Sequence, residues 1–179
     1  MQGLVFIATS MDGFIAREDG GIDWLSSGHG PSDGGDYGYA EFFASVDAMV
    51  LGRGTYETVL GFDGWPYKDK PVAVLSSKPV DIPEALRGTV FQLGGEPAEV
   101  AAELERRGHE RVYVDGGVTI QRFLRAGLVQ RMTITRIPVL LGRGLPLFGD
   151  TDGDVLLRHV ATRAFSNGLV QSTYEVGRD

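Results

Sequence analysis

Residues 50–57 read Val50-Leu51-Gly52-Arg53-Gly54-Thr55-Tyr56-Glu57, and in this stretch an apolar run ends at a glycine that opens a helical segment. The same kind of turn occurs a second time, in Val114-Asp115-Gly116-Gly117-Val118-Thr119. The start of a helix presents unpaired N–H groups and the positive end of the helix dipole, which together bind phosphate. Glycine lets the backbone approach such a ligand closely, because no Cβ stands in the way. Two such turns in one parallel sheet are suited to holding the two ends of a pyrophosphate.

Either turn taken alone also has a purely structural explanation, since a strand followed by glycine and a helix is common where helices pack tightly on a sheet. The sequence has no G-x-G-x-x-G after its first apolar run and no G-x-x-x-x-G-K-[ST] anywhere, so a standard dinucleotide fold and a nucleoside triphosphatase are disfavoured. Arg53 is suited to a bidentate contact with a further phosphate. After the next apolar run, Ser76, Ser77 and Lys78 would suit a nucleotide 2′-phosphate, or they form a polar turn before Pro79.

Short apolar runs alternate with segments of helical periodicity over most of the chain. Residues 96–107 have an apolar face at helical spacing with charged residues opposite, and a second helix is predicted after Gly117. Helices between short β runs indicate an α/β sheet with parallel crossovers. The last third is rich in β-forming residues without helices, and Asn167-Gly168 is a strong hairpin signal, which predicts an antiparallel edge.

Length and composition limit the classes of protein to which the chain can belong. Its 179 residues predict a single domain over residues 1–179. The formal charge is −7 without a basic block, so no nucleic-acid partner is expected. Cysteine is absent, which excludes disulfides and thiolate metal sites, and the three histidines lack ligand-spaced partners, so no metal site is predicted. The first apolar run, residues 4–8, is too short for a signal or membrane helix, which favours a cytoplasmic protein with no membrane partner.

Glycine is concentrated in residues 26–38, which also contain Pro31, Asp33 and Asp36. A flexible surface loop explains this composition. Irregular segments of this length inside a compact domain are uncommon, however, and often act as lids or binding loops. Both interpretations stay open.

Five motifs occur in order along the chain. They are Ala8-Thr9-Ser10-Met11-Asp12-Gly13-Phe14-Ile15-Ala16, Gly52-Arg53-Gly54-Thr55-Tyr56-Glu57, Leu75-Ser76-Ser77-Lys78-Pro79, Asp115-Gly116-Gly117, and a final pair, Phe123-Leu124-Arg125-Ala126-Gly127-Leu128-Val129 with Pro138-Val139-Leu140-Leu141-Gly142-Arg143-Gly144-Leu145-Pro146-Leu147-Phe148. With these motifs the chain resembles the dihydrofolate reductase superfamily, and more closely the reductase domain of the bifunctional riboflavin-biosynthesis deaminase/reductase. The resemblance covers nearly the whole chain. It implies a dihydrofolate reductase-like α/β fold with three layers, α/β/α, whose mostly parallel sheet carries an antiparallel C-terminal edge hairpin.

The resemblance implies NADPH as the cofactor, and it carries over the binding residues position by position. Ala8 and Ile15 match the seat of the nicotinamide ring. Arg53 and Thr55, after Gly52, match the helix start that holds the pyrophosphate and the 2′-phosphate. The adenosine side, the second phosphate turn and the helix that follows it are matched by Leu75, Ser76, Ser77, Gly116, Gly117, Val118 and Gln121.

The resemblance assigns fewer positions on the substrate side. Trp24 matches an aromatic residue near the nicotinamide, and Thr135 matches a threonine that supports an acidic residue at the substrate. By spacing, Asp36 is that catalytic acid, with Glu41 as a weaker alternative; a solvated loop carboxylate is the other interpretation of Asp36. If Asp36 is the acid, apolar surroundings should raise its pKa.

Two departures from the riboflavin reductase pattern bear on the substrate. Tyr56-Glu57-Thr58-Val59 stands where that family has an Asp-Asp-Pro element, and Asp115 stands where it usually has glutamate. The zinc deaminase half is excluded, because its P-C-x-x-C ligands require cysteine. The two departures from the reductase pattern count against a phosphoribosyl-aminopyrimidine substrate without excluding it.

The sequence thus predicts an NADPH-dependent reductase that transfers a hydride to a C=N or C=O carbon of a small heterocyclic or ribosyl-aminopyrimidine substrate. A dihydrofolate or pteridine reductase is one alternative, and a regulator that binds NADP without catalysis is another. Since relatives of the riboflavin branch pair through their C-terminal strands, the resemblance also implies a homodimer. The apolar residues 137–148 are a candidate contact.

Overall fold

Strands and helices alternate along the chain in the computed structural model, which describes residues 1–25 and 35–177. The strands are β1 (Gln2–Ser10), β2 (Phe14–Ala16), β3 (Ala48–Gly52), β4 (Val72–Leu75), β5 (Val90–Leu93), β6 (Arg111–Asp115), β7 (Val129–Ile137), β8 (Leu145–Pro146), β9 (Leu157–Ala164) and β10 (Val170–Val176). The α-helices are α1 (Tyr39–Ser45), α2 (Arg53–Leu60), α3 (Pro97–Arg106) and α4 (Gly117–Arg125). Short 3₁₀ turns cover Asp23–Leu25 and Glu84–Leu86.

Eight strands form one sheet in the order β5-β4-β3-β6-β1-β7-β10-β9. Neighbours from β5 to β7 are parallel, whereas β10 is antiparallel to both β7 and β9. The turn between β9 and β10 contains Gly168 at a φ of 86°, and its N–H donates to the Phe165 carbonyl. The predicted α/β fold, mostly parallel with an antiparallel C-terminal hairpin at its edge, is confirmed. The short strands β2 and β8 form a separate antiparallel pair.

Both faces of the central strands are buried, because successive side chains point to opposite sides of the sheet. On β3, Val50 packs in the core that contains the apolar residues of α3 and α4. Its neighbours Met49 and Leu51 belong to the core that contains Tyr56 and Val59 of α2. This double coverage explains why the central strands read as continuous apolar runs, and it gives the three layers α/β/α.

Helix α3 begins at the residues that its sequence signals indicate. Glu96 and Glu99 form a reciprocal capping box, and Pro97 occupies the first turn. Val100 and Leu104 on its apolar face are buried. None of the helices in the described ranges combines the length and apolar character that a membrane crossing requires.

The arrangement of β3 and β6 determines where a ligand can bind. These strands are adjacent and parallel, with Leu51 paired with Asp115 in the last register position. Helices α2 and α4 begin directly after them, so the two helix N-termini lie side by side at the carboxyl edge of the sheet. Ligands of open α/β sheets bind at this edge.

Strand β9, at the end of the sheet, is exposed along its whole length. Its apolar residues Leu157 and Val160 are 42% and 39% exposed. An edge strand with unpaired backbone groups and exposed apolar side chains is suited to contact with another chain.

Candidate functional site

A cleft of about 1060 Å³ opens at the carboxyl edge of the sheet. Its walls come from β1, β2 and the N-terminal turns of α2 and α4. Ten of the twelve residues predicted to bind the cofactor line it: Ala8, Ile15, Gly52, Arg53, Thr55, Leu75, Gly116, Gly117, Val118 and Gln121. The fold therefore brings together residues from five separate parts of the sequence.

The two glycine turns are interlocked through their threonine side chains. A Cβ on Gly52 would lie 2.8 Å from Thr119 Oγ1, and a Cβ on Gly116 would overlap Thr55 Oγ1. Gly116 also has a φ of 95°, a conformation that L-amino acids rarely adopt. These glycines are required by the close packing of the two turns, so the structural explanation and the ligand-binding explanation both apply.

The first turns of α2 and α4 leave backbone donors available at the cleft. Neither helix has a side-chain hydrogen bond to its N-terminal N–H groups. Apart from its chain neighbours and the backbone of α2, no atom of the described residues lies within 4 Å of the place that a Cβ on Gly54 would occupy, so this turn is open to a ligand. The arrangement suits an anion bound by two adjacent helix N-termini.

Arg53 supplies a cation at the same turn. Its Nε donates to Glu57 Oε1 over 2.6 Å, one turn along the helix. Among the described residues its terminal amino groups have no hydrogen-bond partner, and the side chain is 44% exposed. Those groups therefore remain for a further phosphate.

Next to the second glycine turn, Ile15 gives the cleft an apolar surface. The Ile15 side chain packs against Gly117, where a Cβ would lie 2.9 Å from Ile15 Cδ1. Gln121 lines the cleft, but its Nε2 donates to the carbonyl oxygens of Pro146 and Leu147. Its amide thus fixes α4 to β8 and the residue that follows.

Ser76 and Ser77 do not line the cleft. The Ser76 hydroxyl donates to the Lys78 carbonyl and accepts from the Lys78 N–H, and Ser77 is exposed. In this structure the segment has the polar-turn conformation, and only Leu75 before it reaches the cleft wall.

The two residues predicted on the substrate side lie behind the cleft. Trp24 is buried in an apolar cluster with Ile137 and Phe165, and no hydrogen-bond acceptor is found for its Nε1 among the described residues. Thr135 is buried on β7, where its Oγ1 accepts from Gln171 Nε2. Both side chains support the walls instead of facing a ligand.

The surroundings of Asp36 differ from the apolar ones that its predicted role requires. Its carboxylate is exposed and accepts from the N–H groups of Gly38 and Ala40, at the start of α1. These backbone hydrogen bonds lower the pKa of Asp36, so the predicted increase was wrong. Glu41 is likewise exposed and does not line the cleft. Residues 26–34 of the glycine-rich segment, with Pro31 and Asp33, lie outside the described residues.

Among the described residues, Asp115 is one of four acidic residues that line the cleft, with Glu18, Asp19 and Glu57. It ends β6, is half-buried, and its Oδ1 accepts from the Gly116 N–H over 2.8 Å. Burial raises the pKa of Asp115 to about 6. A carboxyl group that titrates near neutral pH is suited to general acid–base work. The sequence signal was its place at the end of a buried strand, beside a phosphate-type turn.

Aromatic residues surround this carboxyl group. Phe6, Tyr67 and Tyr113 line the cleft together with it. Burial, with the nearby charge of Asp115 as a further cause, raises the pKa of Tyr67 and Tyr113, and it raises that of Tyr39 to about 12. The Tyr113 hydroxyl donates to the Phe6 carbonyl over 2.7 Å. These aromatic side chains make the surroundings of Asp115 largely apolar.

Comparison with known proteins agrees with this architecture. The family model described as RibD C-terminal domain matches residues 3–171. A solved protein of Shewanella sp. PV-4, named for riboflavin biosynthesis, is 41% identical with a TM-score of 0.92, over 99% of this chain and 100% of that one.

Two more distant structures share the fold. A Thermotoga maritima diaminohydroxyphosphoribosylaminopyrimidine deaminase/5-amino-6-(5-phosphoribosylamino)uracil reductase is 15% identical with a TM-score of 0.72, over 98% of this chain and 56% of that one. Dihydrofolate reductase from Enterococcus faecalis, complexed with NADP(H), is 20% identical with a TM-score of 0.68, over 99% of this chain and 97% of that one. At these identities the likeness concerns the fold alone.

Proposed function

Because the chain belongs to the RibD C-terminal domain family, as its motifs predicted, we propose that it is an NADPH-dependent reductase acting on a small heterocyclic substrate. Characterised proteins with this domain or fold are oxidoreductases, and one of them is complexed with NADP(H). The observation that carries the proposal is the cleft itself. It combines two open helix N-termini and Arg53 with a half-buried carboxyl group of raised pKa.

The residues at the phosphate end fit the cofactor. The backbone N–H groups after Gly52 and Gly116 would hold the pyrophosphate, and the free amino groups of Arg53 would hold the 2′-phosphate. Ala8 and Ile15 would form the apolar seat of the nicotinamide ring. When bound there, NADPH would supply a hydride from its dihydronicotinamide ring.

Asp115 is the group that we assign to the proton. Its raised pKa keeps a useful fraction of the carboxyl protonated near neutral pH, so that it can donate to the substrate atom next to the reduced carbon. When ionised, the same carboxylate orients the substrate by accepting hydrogen bonds from the N–H groups of the substrate. The surrounding aromatic side chains exclude water and hold a flat ring in position.

Transfer of deuterium tests the reaction. NADPH deuterated at its reactive carbon is incubated with the protein and a panel of pterins and aminopyrimidines, and the products are analysed by mass spectrometry. We expect one substrate to gain one deuterium. Binding of NADPH without transfer to any member of the panel would instead favour a nucleotide-binding regulator.

A homodimer and a cytoplasmic location belong to the same proposal. The exposed residues of β9, with Leu157 and Val160, form a surface that a second copy of the chain would cover. Leu140 and Phe148 in the tract 137–148 are also exposed, whereas Ile137 is buried in the core. The contact that we favour centres on β9, because this edge strand also leaves backbone groups unpaired.

A further inference from the structure

The lining of the cleft combines cationic, acidic and aromatic residues. Arg53 and Arg122, its two cations among the described residues, lie on the helices that begin at the phosphate end. The wall around Asp115 is built instead from Phe6, Tyr67 and Tyr113.

Each guanidinium group has one carboxylate partner, and the remaining amino groups of Arg53 are assigned to the 2′-phosphate of the cofactor. Arg53 pairs with Glu57, and Arg122 donates to Glu96 and to the Gly95 carbonyl. A substrate phosphate placed between them would also occupy the position that the cofactor phosphates need. The cations of this cleft are therefore not available to a phosphorylated substrate while the cofactor is bound.

The remaining charges of the lining are negative. Glu18 and Asp19 lie on the loop after β2, and Asp115 lies at the end of β6. No lysine or histidine of the described residues lines the cleft, and residues 26–34 contain one histidine, His29, but neither lysine nor arginine. A dianionic phosphate would be repelled by these carboxylates.

We infer that the substrate is a neutral nitrogen heterocycle without a phosphate group, which stacks on the aromatic wall and presents N–H groups to Asp115. This inference rests on the proposed reductase function and names its substrate class. Ring or amino N–H groups match a carboxylate whose one hydrogen bond from the described residues comes from Gly116. The site thus differs in its substrate from the phosphoribosylamino compound in the name of the Thermotoga protein.

Calorimetry with NADP⁺ present tests this class without requiring turnover. The matched pair is 5-amino-6-ribosylaminouracil and its 5′-phosphate, and a pterin is added as a second unphosphorylated heterocycle. We expect an unphosphorylated compound to bind at least about tenfold more tightly than the phosphate, a ratio equivalent to 1.4 kcal/mol. Equal or tighter binding of the phosphate, or no binding by any unphosphorylated compound, would overturn the inference.

A charge variant gives an independent check. Glu18→Lys places a cation at the cleft, so it should increase the affinity for the phosphate several-fold and leave that for the neutral compound unchanged. Glu84→Lys, on an exposed turn that does not line the cleft, changes the net charge equally and should leave the ratio as it was. An equal effect of both variants would contradict a local electrostatic origin. Deuterium transfer to a phosphorylated compound alone would refute the inference and leave the reductase function standing.

Discussion

Replacing Asp115 by asparagine tests the burial of this carboxyl group and its role in the reaction. Asparagine keeps an oxygen that can accept the Gly116 N–H, but it cannot ionise. The pKa of the carboxyl group rises from 3.8 to about 6 on folding. Since one pKa unit corresponds to about 1.4 kcal/mol, ionised Asp115 destabilises the folded state by about 3 kcal/mol.

Proton linkage determines whether the stability of the natural protein rises or falls with pH. Between pH 3.8 and about 6 the folded protein holds a proton on Asp115 that the unfolded chain has lost. The stability of the natural protein therefore falls as pH rises through this window. Asp115→Asn lacks this titration, so it should equal the natural protein near pH 4 and exceed it by up to about 3 kcal/mol at pH 8.

Urea unfolding of both proteins across this pH range measures the difference. Asp12→Asn is a control of opposite sign, because Ser10 Oγ and the N–H groups of Leu141 and Gly142 donate to the Asp12 carboxylate and its pKa is lowered. That variant should lose stability at neutral pH, and the loss should shrink as pH falls below the usual range of an aspartate. If Asp115→Asn gains no stability between pH 4 and pH 8, the carboxyl group is not held in a desolvated position. In the active enzyme, loss of the proton donor should lower kcat about 100-fold or more.

Four further predictions concern the cofactor site, the glycine turns, Asp36 and the dimer. Arg53→Ala should weaken NADPH binding about tenfold or more in calorimetry and leave NADH binding nearly unchanged, because only NADPH carries the 2′-phosphate; an equal loss for both would contradict this assignment. Gly116→Ala should destabilise the protein by about 2 kcal/mol in urea unfolding, because its Cβ would overlap a threonine hydroxyl. Gly54→Ala is the control and should not destabilise the protein, because its Cβ would lie in open space on a helix. Similar losses of stability at both sites would disprove the packing argument. Asp36→Ala should cost about 1 kcal/mol of stability through lost helix capping and leave kcat/KM within about twofold, and a large fall in kcat would restore Asp36 as the catalytic acid. Val160→Asp should shift a dimer to monomer in sedimentation velocity, and a natural protein that is monomeric at micromolar concentration would remove the dimer.

The fold was predictable because its signals are local and agree with each other. The apolar strands, the glycine turns after β3 and β6, and the capping box of α3 each indicate one conformation. The Asn167-Gly168 hairpin predicts the antiparallel edge without reference to the rest of the chain. Most of the cofactor end was predictable for the same reason, since helix N-termini that follow adjacent parallel strands must meet at one edge.

The substrate end depends on side-chain directions that spacing does not specify. Asp36 lies at the expected spacing before β3. Its carboxylate nevertheless accepts hydrogen bonds from the N–H groups two and four residues later, at the start of α1, and caps that helix. Trp24 and Thr135 have the expected residue types, but their side chains point into the core. Asp115 escaped prediction because burial, which sets its pKa, depends on Tyr67 and other residues distant in sequence.

The most direct test of the central claim is a calorimetric titration of the natural protein with NADPH and, separately, NADH. The two glycine turns and the free guanidinium amino groups predict one NADPH site per chain and at least about tenfold weaker binding of NADH. Absence of heat with both nucleotides, or equal affinities for the two, would contradict the claim that this cleft holds a phosphorylated dinucleotide.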